Sequence, residues 1–272
     1  MDKWKINPRR LLAILAHPDD ESLGTGGTLL KYASEGIETY VLTATKGQKG
    51  RYGDLATKPS FEEVGTIREK ELRAACEILG VKETFTMSYM DGELDQANPE
   101  EIISEIAIHI RSIRPQVVIT FGPEGGYGHP DHIAISQFTL ASIVRAGDAV
   151  FNTLGFAPHT VSKLYWMAWP ASKWEAYQAA FKELTSTVDG VKRKVVPYAD
   201  WAITARIDTA VYWKTVWKAV RQHKTQMGIY KNLENLTEEQ HKYFWGVQEY
   251  CRAYSLLNGG RKMETDLFEG ID

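Results

Sequence analysis

Histidine and aspartate recur together in two strings of this chain, Ala16-His17-Pro18-Asp19-Asp20-Glu21 and Gly128-His129-Pro130-Asp131-His132. Imidazole nitrogens and carboxylate oxygens suit a zinc ion that keeps one coordination position open for water. His17, Asp20 and His132 are the expected ligands. Three consecutive acids, Asp19, Asp20 and Glu21, would repel one another at a strand end without a cation. Asp19 adjoins Asp20 and points differently, which suits it to be the general base for metal-activated water, whose pKa falls from about 15.7 toward ~7. Its other reading is to orient a ligand from behind. His129 lies one helical turn before His132, so both rings can face the same space while only one binds metal. It is then suited to stabilise an oxyanion and to protonate a leaving amine. Asp131 has two readings: it offsets the helix dipole's depression of a nearby histidine pKa, or it caps the first turn. The chemistry expected is metal-dependent hydrolysis.

The elements that must position these residues alternate along the first half. Leu11 to Ala16 is a continuous apolar run, as in a strand covered on both faces. A glycine-rich turn (Gly24, Gly26, Gly27) leads to a helix through Leu29, Leu30 and Tyr32, and Thr39 to Ala44 reads as the second strand. Ser60 and Glu63 form a capping box for a helix that stops at Gly80. Thr84 to Ser88 is a third strand. Asn98 and Pro99 open a helix ending before Pro115, Val117 to Phe121 is a fourth strand, and another helix starts near Pro130.

This order predicts an α/β, Rossmann-like, doubly wound and mostly parallel sheet with helices on both faces. In such sheets ligands bind beyond the strand ends where the winding reverses, commonly between the first and fourth strands. Both strings follow those strands, so a long separation in sequence collapses into one crevice. Later, Lys163 to Ala168 and Ala202 to Ile207 read as strands, with one short helix and then loops over 171–200. Asp208 is expected to cap a long helix to about Met227, and Thr237 with Gln240 caps a final one. Trp213 and Trp217 read as core packing. One domain over 1–272 is expected, with 1–147 as the core carrying the metal site and 148–272 as later strands, a variable segment and C-terminal helices.

The 272 residues carry a net charge of −3 without blocks of like charge, which excludes an electrostatic nucleic-acid binder. Cys76 and Cys251 have neither metal-like nor redox-like spacing. Met1 to Arg10 lacks a signal-peptide core, and no run of about 18 apolar residues occurs, so the expected protein is soluble, cytoplasmic and off the membrane. Oligomeric state is not readable, and a homo-oligomer is compatible with the sequence.

The two strings together resemble the PIG-L/LmbE-type zinc-dependent N-acetylglucosaminyl deacetylases, the family of the mycothiol and bacillithiol deacetylases. The resemblance covers roughly residues 10 to 170 plus a stretch near His223. It implies zinc (or another divalent metal such as Fe²⁺) on His17, Asp20 and His132, Asp19 as base, His129 as transition-state stabiliser or acid, and a small-molecule amino-sugar conjugate as substrate. It further implies substrate contacts from Arg68, Asp91 and Tyr127. His223-Lys224-Thr225-Gln226 resembles the family's late His-x-Ser-Gln stretch, with Thr in place of Ser, and makes His223 a fourth such contact.

Plainer readings stand beside these. Arg68 pairs with Glu69 or Glu71 on an exposed helix face, Asp91-Gly92 is an ordinary turn, and Tyr127 only packs. Lys46, Lys49 and Arg51 read as a solvated loop more readily than as anion contacts. A dinucleotide fingerprint fails at Leu29 and places acids where a pyrophosphate needs positive potential. A non-haem iron oxygenase would use the same ligand set, and a sugar-binding module would need neither Asp19 nor His129. Specificity is expected from 147–200 and the loops around 45–60.

Overall fold

A computed structural model describes residues 8–50, 52, 59–152, 155–180, 184–257, 260 and 262–271. The strands are β1 (Arg10–Leu15), β2 (Glu38–Thr45), β3 (Glu83–Tyr89), β4 (Val117–Thr120), β5 (Lys163–Met167), β6 (Thr185–Val188), β7 (Val191–Lys194), β8 (Ala205–Asp208) and β9 (Val247–Ser255). The helices are α1 (Asp20–Gly24), α2 (Gly26–Ser34), α3 (Phe61–Ile78), α4 (Pro99–Ile113), α5 (Gly125–Gly128), α6 (Pro130–Gly147), α7 (Ala171–Ala180), α8 (Trp213–Val220), α9 (Met227–Tyr230) and α10 (Glu238–Trp245).

Among the described residues, seven strands form one sheet in the order β3-β2-β1-β4-β5-β9-β8. β3, β2, β1, β4 and β5 are parallel, and β9 runs antiparallel to both β5 and β8. The chain winds outward from β1 to β3, then returns to place β4 on the other side of β1, so the winding reverses between β1 and β4. This is the doubly wound α/β fold that the strand–helix alternation predicts. Strand β1 shows why both faces must be covered. Leu11, Ala13 and Leu15 enter one buried cluster with α2, α3 and α8 residues, while Leu12, Ile14 and Ala16 enter the other with α4 and α6 residues.

The helix caps form as their residues dictate. Ser60 and Glu63 close a reciprocal capping box at α3, as do Thr237 and Gln240 at α10. Asn98 accepts from the Glu100 N–H with Pro99 in the first turn, and α4 ends on Arg114 in the left-handed region, just before Pro115.

Four expectations need correction. The segment around Gly24–Gly27 is not a turn: α1 already begins at Asp20, and the glycines let neighbouring elements come close. A Cβ at Gly27 would meet Thr209 Oγ1 at 2.8 Å. Residues after α7 pair as a β6–β7 hairpin where loops were expected. The long helix from Asp208 is only α8, with Tyr212 as its N-cap; it stops because His223 turns inward to Glu21 and Thr225 donates to Glu71 at 2.9 and 2.7 Å. Strand β9 was not foreseen, because Glu249 and Arg252 make its sequence look exposed. Both are neutralised from outside the sheet's named strands, by Lys173 of α7 and by Glu264, each at 2.8 Å. Trp213 is buried, as expected of a core residue.

Candidate active site

Strand β1 ends at a turn built from its own acids. Asp20 Oδ2 accepts from the backbone N–H groups of Ala16 and His17 at 3.2 and 2.8 Å. Asp19 sits at φ 113°, a conformation costly for a residue with a side chain, of order 1–3 kcal/mol, and typical of functional turns. Glu21 holds it there: its Oε2 accepts the Asp19 N–H at 2.9 Å. Glu21 is fully buried and pairs with buried His223 through Nε2 at 2.7 Å. Burial opposes charge on both groups. Mutual attraction outweighs it, lowering the Glu21 pKa and raising that of His223.

The second string opens α6. His129 is the N-cap, and its Nδ1 accepts from the Asp131 N–H at 3.2 Å, so a neutral ring carries its hydrogen on Nε2. His132 lies in the first turn, stacked on Phe121 with ring centroids 3.8 Å apart. Its Nδ1 is 3.3 Å from the Gly125 carbonyl, which fixes the hydrogen there and leaves Nε2 with a free lone pair.

Three donor atoms then converge. His17 Nδ1 lies 3.2 Å from His132 Nε2 and 3.7 Å from Asp20 Oδ2, and His132 Nε2 lies 3.6 Å from Asp20 Oδ1. A tetrahedral zinc ion with bonds near 2.0–2.1 Å sets its ligands roughly 3.3 Å apart, so the donor set fits the ion expected. Two other triples crowd within 4.8 Å, His17–His129–His132 and His17–Asp91–Asp131. The second is hydrogen bonding behind a ligand: His17 Nε2–H faces Asp131 Oδ2 at 3.0 Å and Asp91 Oδ1 at 3.2 Å, which turns Nδ1 toward His132 and Asp20.

The electrostatics follow from this crowding. Burial pushes the Asp20 carboxyl up to about 7; His17 opposes the rise, and Asp19 and Glu21 add to it. For His17 burial disfavours charge, but Asp131, Asp91 and Asp20 outweigh it and hold its pKa well above the usual range. Burial and then the His17 charge push His129 down to about 4, and burial also keeps His132 neutral.

These groups open into a cavity of about 660 Å³. His17, Asp19, Asp20, Arg68, Asp91, Tyr127, His129 and His132 line it, whereas Asp131 and His223 do not. Arg68 is buried and pairs with neither Glu69 nor Glu71: its Nη2 donates to Asp19 Oδ2 at 3.1 Å and its Nη1 to the Gly47 carbonyl at 2.8 Å. Tyr127 sits on a kink in α5, edge-on to the rings of His129 and His132. Working against burial, Asp131 acts to raise the pKa of its histidine neighbours His17 and His129, in line with one sequence reading, but it does not cap the helix as the other expected. His129 performs the capping, and the fully buried Asp131 carboxylate reaches His17 and the N–H groups of Gly92 and Leu94 at 2.7 and 3.1 Å. His223 likewise supports Asp19 through Glu21 and does not face the cavity. Lys46 and Lys49 pair with Glu69 and Glu93 at 2.9 and 2.7 Å, and Arg51 lies outside the described residues.

Sequence reasoning missed Tyr230, whose hydroxyl donates to Asp19 Oδ2 at 2.9 Å; no local pattern marks it. It also missed an aromatic wall from Trp169, Trp174 and Tyr177, which the spacing of rings in Trp169-Pro-Ala-Ser-Lys-Trp-Glu-Ala-Tyr177 does signal.

A doubly wound sheet whose winding reversal gathers two imidazoles and a carboxylate, beside a second acid and a second histidine, defines an α/β protein with a candidate metal site in its cavity. Comparison with known proteins agrees. Residues 12–143 match the PIG-L family, described as GlcNAc-PI de-N-acetylase. A 1D-myo-inositol 2-acetamido-2-deoxy-alpha-D-glucopyranoside deacetylase of Rhodococcus erythropolis strain PR4 is 35% identical, over 97% of this chain and 98% of the relative. Among solved structures, the N,N'-diacetylchitobiose deacetylase of Pyrococcus horikoshii shares the fold at a TM-score of 0.65 and 23% identity, over 84% of this chain and 75% of that one. A 4-carboxy-2-hydroxymuconate hydratase of Pseudomonas putida KT2440 shares it at 0.67 and 16%, over 93% and 99%, so the fold alone does not name a reaction. The chain belongs to the PIG-L deacetylase family.

Proposed function

We propose that this protein is a zinc-dependent hydrolase that removes the N-acetyl group from an N-acetylglucosamine-type conjugate, releasing acetate and a free amine. The observation that carries the reading is the convergence of His17 Nδ1, Asp20 and His132 Nε2 within 3.2–3.7 Å, with Asp19 and His129 lining the same cavity. Relatives with deacetylase names over nearly the whole chain support it.

Zinc held by these three residues would supply Lewis acidity, lowering the pKa of water and polarising the acetamide carbonyl. Arg68 and Tyr230 fix Asp19 by its Oδ2, and Oδ1 takes the proton from the attacking water. His129, neutral at pH 7 with its pKa near 4, donates from Nε2 to the developing oxyanion. Asp19 passes the captured proton to the amine nitrogen as the C–N bond breaks, which balances water against acetate and amine. Asp131 holds the His17 ring, and Asp91 bonds the same nitrogen while presenting its edge to the cavity.

Acetate release from a panel of N-acetylglucosamine conjugates, lost on chelation and restored by zinc, is the expected result. Silence across the panel, or turnover indifferent to chelator, removes the reading.

A further inference from the structure

The residues lining the cavity fall into two sets of unlike chemistry, which meet where Tyr198 donates to Glu124 at 2.8 Å and Tyr230 to Asp19 at 2.9 Å. Among the described residues, every charged side chain that lines it belongs to α3, α6 or the segments that follow β1 to β4. The thirteen lining residues between Met167 and Trp245 carry no charge, and seven of them are aromatic. They form a continuous wall, with ring centroids 4.5 Å apart for Trp169 and Trp174, 5.9 Å for Trp174 and Tyr177, and 5.7 Å for Tyr177 and Phe244. Tyr230 joins that uncharged set to the reacting groups through its bond to Asp19. Trp169 and Trp174 are only half-buried, so ring surface faces the cavity.

The wall is also held in place. Lys173, buried beneath α7, donates to the Val247 carbonyl at 2.6 Å and pairs with Glu249 at 2.8 Å, which pins α7 to β9. A rigid apolar wall favours a rigid apolar ligand, since little ordering is required on binding. A polyol or second sugar would lose water from each hydroxyl laid against these ring faces. A cavity of about 660 Å³ accommodates a drug-sized molecule, more than one acetamido sugar requires.

We infer that the uncharged wall takes an aglycone with a flat apolar face, an aryl or fused-ring group linked to the amino sugar, in preference to a polyol or an anion. This inference rests on the deacetylase reading above. The test compares acetate release by the zinc-loaded full chain from methyl, octyl, para-nitrophenyl and myo-inositol N-acetylglucosaminides. The para-nitrophenyl glycoside is expected to exceed the methyl glycoside about tenfold in kcat/KM, through KM, because ring stacking adds to apolar burial. That ratio should fall to about one in Trp174→Ala and persist in Trp174→Phe. If Trp174→Ala does not fold, Trp169→Leu reads the same ratio. Equal rates for aryl and methyl, a ratio untouched by Trp174→Ala, or preference for the inositol or octyl glycoside would each overturn it. If no glycoside releases acetate, the deacetylase reading fails, and tryptophan fluorescence then decides the inference separately. Tighter binding of para-nitrophenyl than of methyl glucosaminide upholds the apolar wall; equal binding overturns it.

Discussion

Asp19 carries three constraints at once: a left-handed backbone, a buried carboxylate, and bonds from Arg68 and Tyr230 that fix its orientation. None of them involves the three metal donors directly. Asp19→Asn should therefore retain zinc in metal analysis while turnover falls by about 10²–10⁴; near-normal turnover would exclude it as the base. His129→Gln should lower kcat by about 10²–10³, the scale of a lost oxyanion donor. Because its pKa lies near 4, titration of His129 should leave no step in the kcat profile between pH 6 and 8, and such a step that vanishes in the variant would show it working as an acid. Asp131→Asn should act differently from both. It frees the His17 ring, so zinc affinity should drop about 10–100-fold, with turnover recovered at excess zinc. Failure of excess zinc to rescue would place Asp131 in the chemistry itself.

At the scale of elements, the β6–β7 hairpin is tied to the loop that presents Tyr127 and His129. Ser186 Oγ donates to the carbonyls of Tyr127 and Gly128 at 3.1 and 2.9 Å, and Val196 N–H to that of Gly126 at 3.3 Å. Gly128 itself has φ 75°, and a Cβ there would meet Arg193 at 2.8 Å, so loop and hairpin fit only without a side chain. The hairpin's own side chains are exposed or half-buried and add little to the core. Replacing 185–194 by a short turn should therefore lower kcat by about tenfold or more, through displacement of His129, with little change in Tm. A large fall in Tm with kcat preserved would make the hairpin structural. A local signal for this pairing was overlooked: Asp189-Gly190 separates Thr185–Val188 from Val191–Lys194 as a two-residue hairpin turn, with φ of 51° and 76°.

At the scale of the molecule, acid and base limits follow from the buried charges. In Asp91 burial favours the neutral form, but His17, Arg68 and the Lys49 N–H pull the pKa to about 2, below an unfolded value of about 3.9. Its contribution is thus present above pH 4 and lost as pH falls toward 2. His223 is shifted upward, so its contribution is complete below about 6.5 and is lost as pH rises through its elevated folded value. Chelated protein should show maximal stability in urea denaturation between these limits. Zinc binds the folded state and should raise Tm and widen the plateau, because it replaces the proton that crowded His17, Asp20 and His132 otherwise share. A Tm unchanged by zinc would count against a site at these residues. Among the described residues, no helix is long and apolar enough to cross a membrane.

The two His/Asp strings that meet in one cavity and the parallel sheet were legible in the sequence because each is constrained locally. Metal and proton chemistry admit few side-chain types, helix caps are three residues wide, and apolar runs declare strands covered on both faces. Tertiary structure alone decided the partners of Glu21, Arg68, Asp131 and His223. The Arg68–Asp19, Asp131–His17 and Glu21–His223 contacts span 49, 114 and 202 residues. It also decided that β9 is interior, since charge on a strand reads as exposure until Lys173 and Glu264 arrive from elsewhere to neutralise it. Local chemistry restricts which residue can act, whereas the orientation of a buried polar group depends on a partner that only the folded chain brings within reach.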